Sequence, residues 1–185
     1  METIDRNKAI KDAIVHEKYP ILPFELDFAK NALAGHIEKQ ADLGRQMGEA
    51  MQQSSETWHD NAPAEAISNE SKTLASSAEK TMQVINDGQI FEYDASSEVI
   101  SLGSMVSVTY GNDTEIVKLF VTGVVRELPL SLQEKYDGQD VDCVTISSPV
   151  GKAIFDKKVG DVVNAAVGNG RQIKLTIVSV SNEGE

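Results

Sequence analysis

The sequence has little cysteine, few aromatic residues and no long apolar run. Cys143 is the only cysteine among 185 residues, so no disulfide can form within the chain. Aromatic residues make up only 5% of the chain, which predicts that part of it is elongated rather than thickly cored. No apolar run approaches the roughly 18 residues of a membrane span. The opening segment "METIDRNKAIKDAIV" lacks the apolar core of a secretion signal. We therefore expect a cytoplasmic protein that does not bind membranes.

Positive charge is also scarce. The chain has 17 Lys and Arg against 29 Asp and Glu, a net charge of -12. Such a surface repels phosphate backbones and argues against autonomous nucleic-acid binding, so a protein partner is favoured. The sequence also has no phosphate-binding loop, dinucleotide fingerprint, serine-nucleophile motif or metal-spaced Cys and His residues. These absences predict that the chain is not itself an enzyme.

The first half of the sequence has helical periodicity. Residues 4–18 predict a short amphipathic helix with Ile10 and Ile14 on one stripe, and "YPILPF" ends it. Two longer helices follow, at about residues 25–54 and 62–86, each with a narrow apolar seam. The first seam is Leu26, Ala29, Leu33, Ile37, Ala41, Gly44, Met47 and Met51; the second is Ile67, Glu70 or Ser71, Leu74, Ala78, Met82 and Ile85. A short connection between such helices predicts an antiparallel coiled-coil hairpin.

The second half alternates β-branched and polar residues, a pattern typical of strands. The predicted strands are "MVSVTYG", "EIVKLFVTG", "VDCVTIS", "DVVNAAV" and "RQIKLTIVSV", and Asn169-Gly170 suits a type I′ turn. One helix interrupts them, with Ser148 as N-cap, Pro149 at its first position and Gly160 as its stop. We expect an α+β fold, with a helical extension at 1–22, the hairpin at 23–88 with its tip near 55–62, and an antiparallel sheet wrapped on one helix at 89–185.

A long block of the second half carries a family resemblance. The segment "VTISSPVGKAIFDKKVGDVVNAAVGNGRQIKLTIVSV", Val144 to Val180, resembles the C-terminal domain of the Gre-type transcript cleavage factors, and "SEVISLGSMVSVTY", Ser97 to Tyr110, matches more loosely. The resemblance implies a coiled-coil hairpin followed by an FKBP-like domain, the arrangement that periodicity also predicts. The scattered aromatic residues of the second half do not favour the aromatic-lined pocket that a prolyl isomerase needs.

The resemblance also implies a partner and a site. Gre factors dock their globular domain near the mouth of the secondary channel of bacterial RNA polymerase. The hairpin enters the channel, where acids at its tip help to hold the second Mg²⁺ for cleavage of backtracked RNA. The family tip motif G-D-L-x-E-N-A-E-Y corresponds here to the segment from Glu56 to Ala64. Asp60 stands at the family's Glu position, whereas Thr57 stands at its Asp position and Glu56 precedes it.

The implied site residues fall into two groups. Glu56 and Asp60 would assist polymerase at the tip and bind Mg²⁺ only in the complex; the chain would hold no cofactor of its own and meet nascent RNA only indirectly. The residues expected to contact polymerase are Trp58, Ser148, Pro149, Lys152 and Lys157, and we expect a monomer. Two plainer interpretations of these residues stay open. The tip residues form only a solvated turn, and the lysines near the late helix form only a solvated face. The alternative functions are a secondary-channel regulator or inhibitor that does not stimulate cleavage, and a coiled-coil adaptor unrelated to polymerase.

Overall fold

The structure, a computed structural model, describes residues 3–53, 62–111, 113–136 and 140–182. Its helices are α1 (Thr3–Val15), α2 (Pro23–Gln53), α3 (Ala62–Asp87), α4 (Leu130–Lys135) and α5 (Pro149–Ile154). Its strands are β1 (Tyr19–Ile21), β2 (Gly88–Ile90), β3 (Met105–Tyr110), β4 (Val117–Thr122), β5 (Val141–Thr145), β6 (Val162–Ala166) and β7 (Gln172–Ser181). No helix in the described ranges is both long and apolar enough to cross a membrane.

The chain divides into two compact units. One unit combines the residues up to Leu26 with those from Asp87 onward, and the other is the hairpin segment Asp27–Asn86. The first unit therefore takes in α1 and β1 as well as the strands of the second half. The boundaries proposed from the sequence, 1–22, 23–88 and 89–185, stay a prediction.

A five-stranded sheet forms the body of the first unit. Its strand order is β5-β4-β3-β7-β6. The pairs β3–β4, β3–β7 and β6–β7 are antiparallel, whereas β4 and β5 are parallel. The sheet is thus mixed rather than wholly antiparallel as expected, because the long connection from β4 through α4 brings β5 back in the same direction.

The core of this unit lies between the sheet, α5 and α1. Ile10 of α1 and Ile154 of α5 are both fully buried in one cluster with strand residues such as Val106, Leu119 and Leu175. Ile14, predicted on the same stripe as Ile10, is 48% exposed, whereas its neighbour Ala13 is 4% exposed and faces the core instead. Apolar side chains from both ends of the sequence therefore share one core.

A short parallel pair, which the sequence pattern did not predict, joins the chain on either side of the hairpin segment. Tyr19 of β1 aligns with Gly88 of β2, and Ile21 aligns with Ile90. Each strand has only three residues, which is too short for alternation to be recognised in a sequence.

Local turn chemistry behaves as predicted at two places. Asn169 and Gly170 have φ of 48° and 72°, and Arg171 donates to the Gly168 carbonyl at 2.9 Å, which makes the expected type I′ turn between β6 and β7. Ser148 caps α5, as its hydroxyl accepts from the Gly151 amide at 3.0 Å with Pro149 next in the helix.

The end of α5 was predicted wrongly. The helix ends at Ile154, six residues before the glycine expected to stop it, and Phe155 already has extended backbone. Asp156 then adopts a left-handed conformation with φ 65°. Its amide donates to the Ile100 carbonyl at 2.9 Å, so a contact with the chain before β3 replaces further helical turns. Val159, which lies beyond this early end of the helix, is 56% exposed.

The hairpin unit pairs α2 with α3 as an antiparallel coiled coil. Lys39 forms an ion pair with Glu70 at 2.7 Å, and Gln40 donates to Ser71 at 2.6 Å. The seam of α2 includes Ala29, as predicted. Farther along the helix it shifts by one position, because Leu43 is buried at 3% whereas the predicted Gly44 is exposed. The predicted seam residues Ile37, Met51 and Met82 are instead 64%, 59% and 48% exposed.

Candidate docking site

Helix α5 positions the described residues that were predicted to contact a partner. Besides accepting from Gly151, the Ser148 hydroxyl donates to the Thr145 carbonyl at 2.7 Å. Ser148 is half-buried, so its hydroxyl serves the cap, whereas Pro149 and Lys152 are exposed. Lys157 lies exposed beyond the end of the helix. The structure thus brings Pro149, Lys152 and Lys157 to the surface of one short segment and gives Ser148 a structural partner.

Close packing fixes this segment against the sheet. A Cβ at Gly151 would lie 2.0 Å from the Thr145 carbonyl oxygen, which no real side chain tolerates. Glycine at this point of the "SPVGKAI" segment is therefore a packing requirement. The exposed lysines extend from a backbone that has little freedom to shift.

Asp156 links this segment to α1. Its carboxylate accepts from the Asn7 amide at 3.1 Å and from Lys11 at 2.5 Å. Burial raises the pKa of Asp156, but the hydrogen bonds from Lys11 and Asn7, with the charges of Lys11 and Lys157, outweigh burial and hold the pKa below its ordinary value. The carboxylate is therefore charged in the physiological pH range, and no local sequence pattern marks it.

Glu25 is a second residue of this unit that was not predicted from the sequence. It is fully buried in the first turn of α2. Its carboxylate accepts from four backbone amides, those of Leu22 (2.8 Å), Gly123 (3.0 Å), Val124 (2.8 Å) and Val125 (3.0 Å). A glutamate at the third helical position is a known N-terminal signal, and that spacing could have indicated it.

Gly123 makes the approach of this carboxylate feasible. A Cβ there would lie 1.9 Å from the Pro20 carbonyl oxygen and 3.1 Å from a Glu25 carboxylate oxygen. Glu25 and Gly123 are 98 positions apart, so they tie the start of α2 to the loop after β4. This contact between the start of α2 and the loop after β4 lies wholly within the first unit.

Cys143 is not a reactive group. Burial, together with the negative charges of Glu25, Asp142 and Glu127, raises the pKa of its thiol to about 12. Within the described part of the chain, no cluster of three or more His, Cys, Asp or Glu side chains could hold a metal ion. The tip residues Glu56, Thr57, Trp58 and Asp60 lie outside the described residues, so the predicted tip site stays a prediction.

Comparison with known proteins tests the resemblance seen in the sequence. Residues 95–182 match the family described as transcription elongation factor, GreA/GreB, C-terminal. The chain carries a GreA/GreB C-terminal domain. This Gre domain contains β3 to β7 together with α5 and its lysines, and the family prediction made from Val144–Val180 is confirmed.

Relatives extend the similarity beyond the Gre domain. The chain is 24% identical over 170 residues to transcription elongation factor GreA of Macrococcus caseolyticus, covering 91% of this chain and 95% of that protein. It is 24% identical over 173 residues to GreA of Thermotoga maritima, covering 94% and 99%. Together with the Gre domain, these relatives support the Gre-type transcription elongation factor family.

A solved structure is also similar. The GreA factor homolog 1 (Gfh1) of Thermus thermophilus is 20% identical and aligns over 88% of this chain and 98% of that one, with a TM-score of 0.40.

Proposed function

We propose that this protein is a transcription elongation regulator that binds bacterial RNA polymerase at its secondary channel. The observation that carries the proposal is the Gre domain at residues 95–182 on a chain that also holds a two-helix hairpin. The GreA relatives are similar over both parts, which supports carrying their role in elongation to this chain. The protein acts on polymerase and has no catalytic reaction of its own.

The Gre domain is proposed to dock on the rim of the channel through α5. Pro149, Lys152 and Lys157 are exposed on a rigid segment, as a docking surface requires. Acidic residues outnumber basic ones on this protein, 29 against 17, so the lysines beside α5 offer a local contrast to which acidic groups of polymerase can bind. The contact to nascent RNA is indirect.

The hairpin is proposed to carry Glu56, Trp58 and Asp60 into the channel. Carboxylate oxygens suit Mg²⁺, but two side chains give fewer than its six ligands, so polymerase must supply the rest. A bound Mg²⁺ would activate the water that cleaves backtracked RNA. Thr57, at the position of the family's Asp, offers only a hydroxyl. The tip thus has two outcomes: Glu56 and Asp60 suffice for cleavage, or the hairpin occupies the channel without it.

Backtracked elongation complexes distinguish these outcomes. RNA release is measured with and without the protein, and with the variants Asp60→Ala and Thr57→Asp. If Glu56 and Asp60 suffice, the protein stimulates release and Asp60→Ala abolishes it. If the tip only occupies the channel, the protein slows normal elongation, and Thr57→Asp adds the missing carboxylate and gains cleavage. Release that persists in Asp60→Ala would refute the role of Asp60.

A capture experiment tests the partner itself. The immobilised protein should retain RNA polymerase subunits from a bacterial lysate, and sedimentation should show one chain per complex. A protein that retains other partners but no polymerase subunits would be the polymerase-independent adaptor, and the proposed function would fail.

A further inference from the structure

Helix α1 lies outside the matched Gre domain in sequence but is built into it in space. Arg6 is buried and donates to the carbonyls of Glu92 and Leu102. Asn7 donates to the Ile100 carbonyl at 3.2 Å. Ile10 and Ala13 are 0% and 4% exposed within the core cluster. This helix is therefore a fixed part of the surface that the domain presents.

Asp156 holds α1 next to the segment proposed to dock. A left-handed backbone is unfavourable for a residue with a Cβ and free for glycine, yet an aspartate stands at φ 65°. Its side chain is used: both carboxylate oxygens accept from α1, one from Asn7 and one from Lys11. The carboxylate gives a reason for aspartate at this position, since glycine could not bind α1.

The exposed side of α1 continues the surface of α5. Lys11 and Ile14, three positions apart, share one side of the helix, and Val15 follows one turn after Lys11. Ile14 and Val15 are 48% and 76% exposed. The Lys11 ammonium lies 5.9 Å from the centroid of the Phe155 ring. We name this set, Lys11, Ile14, Val15, Phe155 and Lys157, the α1 patch.

We propose that the α1 patch is a second docking element for RNA polymerase; this rests on the proposed function. It is continuous with the exposed lysines beside α5, because Lys157 directly follows Asp156, whose carboxylate Lys11 binds at 2.5 Å. It offers two exposed aliphatic side chains on the same side of α1 as Lys11. Such a set binds best to a polymerase surface that has an apolar centre with carboxylates beside it. A second copy of this chain fits less well, since a two-fold axis would bring like lysines together.

Binding to purified RNA polymerase tests the proposal. The variant Ile14→Ser/Val15→Ser removes the aliphatic pair from a position where both side chains are exposed. The control Ile116→Ser/Val178→Ser removes a matched pair that is 53% and 40% exposed elsewhere on the unit. We expect the first variant to bind polymerase at least about tenfold more weakly. The control should bind as the unaltered protein does, and all melting temperatures should agree.

A second variant tests the contact of Asp156 with α1 separately from the side chains of the α1 patch. Asp156→Gly removes the carboxylate while suiting the left-handed backbone, so the protein folds. Amide exchange in α1 should become faster and polymerase binding weaker. If both the α1 variant and Asp156→Gly bind polymerase as the unaltered protein does, the α1 patch is overturned while the proposed function stands. If the unaltered protein does not bind polymerase, both proposals are overturned.

Discussion

Replacing Glu25 by glutamine should destabilise the first unit more than its small chemical change suggests. One carboxylate oxygen accepts from Val124 and Val125 and the other accepts from Leu22, while the Gly123 amide is shared between them at 3.1 and 3.0 Å. A glutamine oxygen in the first position keeps Gly123, Val124 and Val125 as donors. The side-chain NH₂ then faces the Leu22 amide, donor against donor.

The magnitude follows from the burial of this site. A backbone amide left without an acceptor in a buried site costs about 1–3 kcal/mol, and in this orientation the Leu22 amide is the one that loses its acceptor. We therefore expect Glu25→Gln to lower the free energy of unfolding by about 2 kcal/mol. Glu127→Gln is the control, because Glu127 is an exposed carboxylate near the same loop, and it should change stability by less than about 0.5 kcal/mol.

Two measurements check this prediction. Urea unfolding followed by the near-ultraviolet circular dichroism of tyrosine reports the stability of the first unit. Amide hydrogen exchange reports the site directly, since the Leu22 amide should lose protection in Glu25→Gln. A loss of less than about 1 kcal/mol, with exchange at that amide unchanged, would refute the assignment of Glu25 as the acceptor of these amides.

Three further predictions concern other parts of the first unit. The pKa of Asp156 is lowered in the folded protein, so its stabilisation of α1 is present above the ordinary Asp pKa of about 3.9 and is lost as the pH falls through the lower folded value. Amide exchange in α1, measured against pH, should show this loss. The variant Asp156→Asn should remove the pH dependence. Native Cys143, with a pKa of about 12, should react with iodoacetamide at pH 8 about a thousandfold more slowly than in the unfolded chain; equal rates would contradict its burial. Gly151→Ala should cost about 3 kcal/mol, because its Cβ meets the Thr145 carbonyl; a melting temperature equal to that of the unaltered protein would show that the backbone can shift.

The features that the sequence predicted well depend on neighbouring residues. Ser148 followed by Pro149 specifies a helix start, and Asn169-Gly170 specifies a tight turn, whatever the rest of the chain does. The five strands were recognised because alternation continues long enough in each. The segment Val144–Val180 adds a long motif whose resemblance to the Gre-type factors can be recognised from the motif alone.

The features that were missed depend on contacts between distant residues. In α2, the stripe through Ile37 and the stripe through Leu43 both fit coiled-coil spacing, and pairing with α3 decides between them. The early end of α5 depends on Ile100, which binds the Asp156 amide from far along the chain. Glu25 finds three of its four donors 98 to 100 positions away. Local periodicity carries no information on such partners.

The short parallel pair of β1 and β2 has a consequence for how this protein can change. Tyr19 aligns with Gly88 and Ile21 with Ile90, so the chain leaves the first unit and re-enters it at neighbouring strands, which lie about 5 Å apart. The hairpin is thus topologically an insertion into a unit that closes without it. Whole heptads can be added to or removed from both helices together without altering the sheet. The length of the hairpin is therefore free to evolve separately from the domain that carries it.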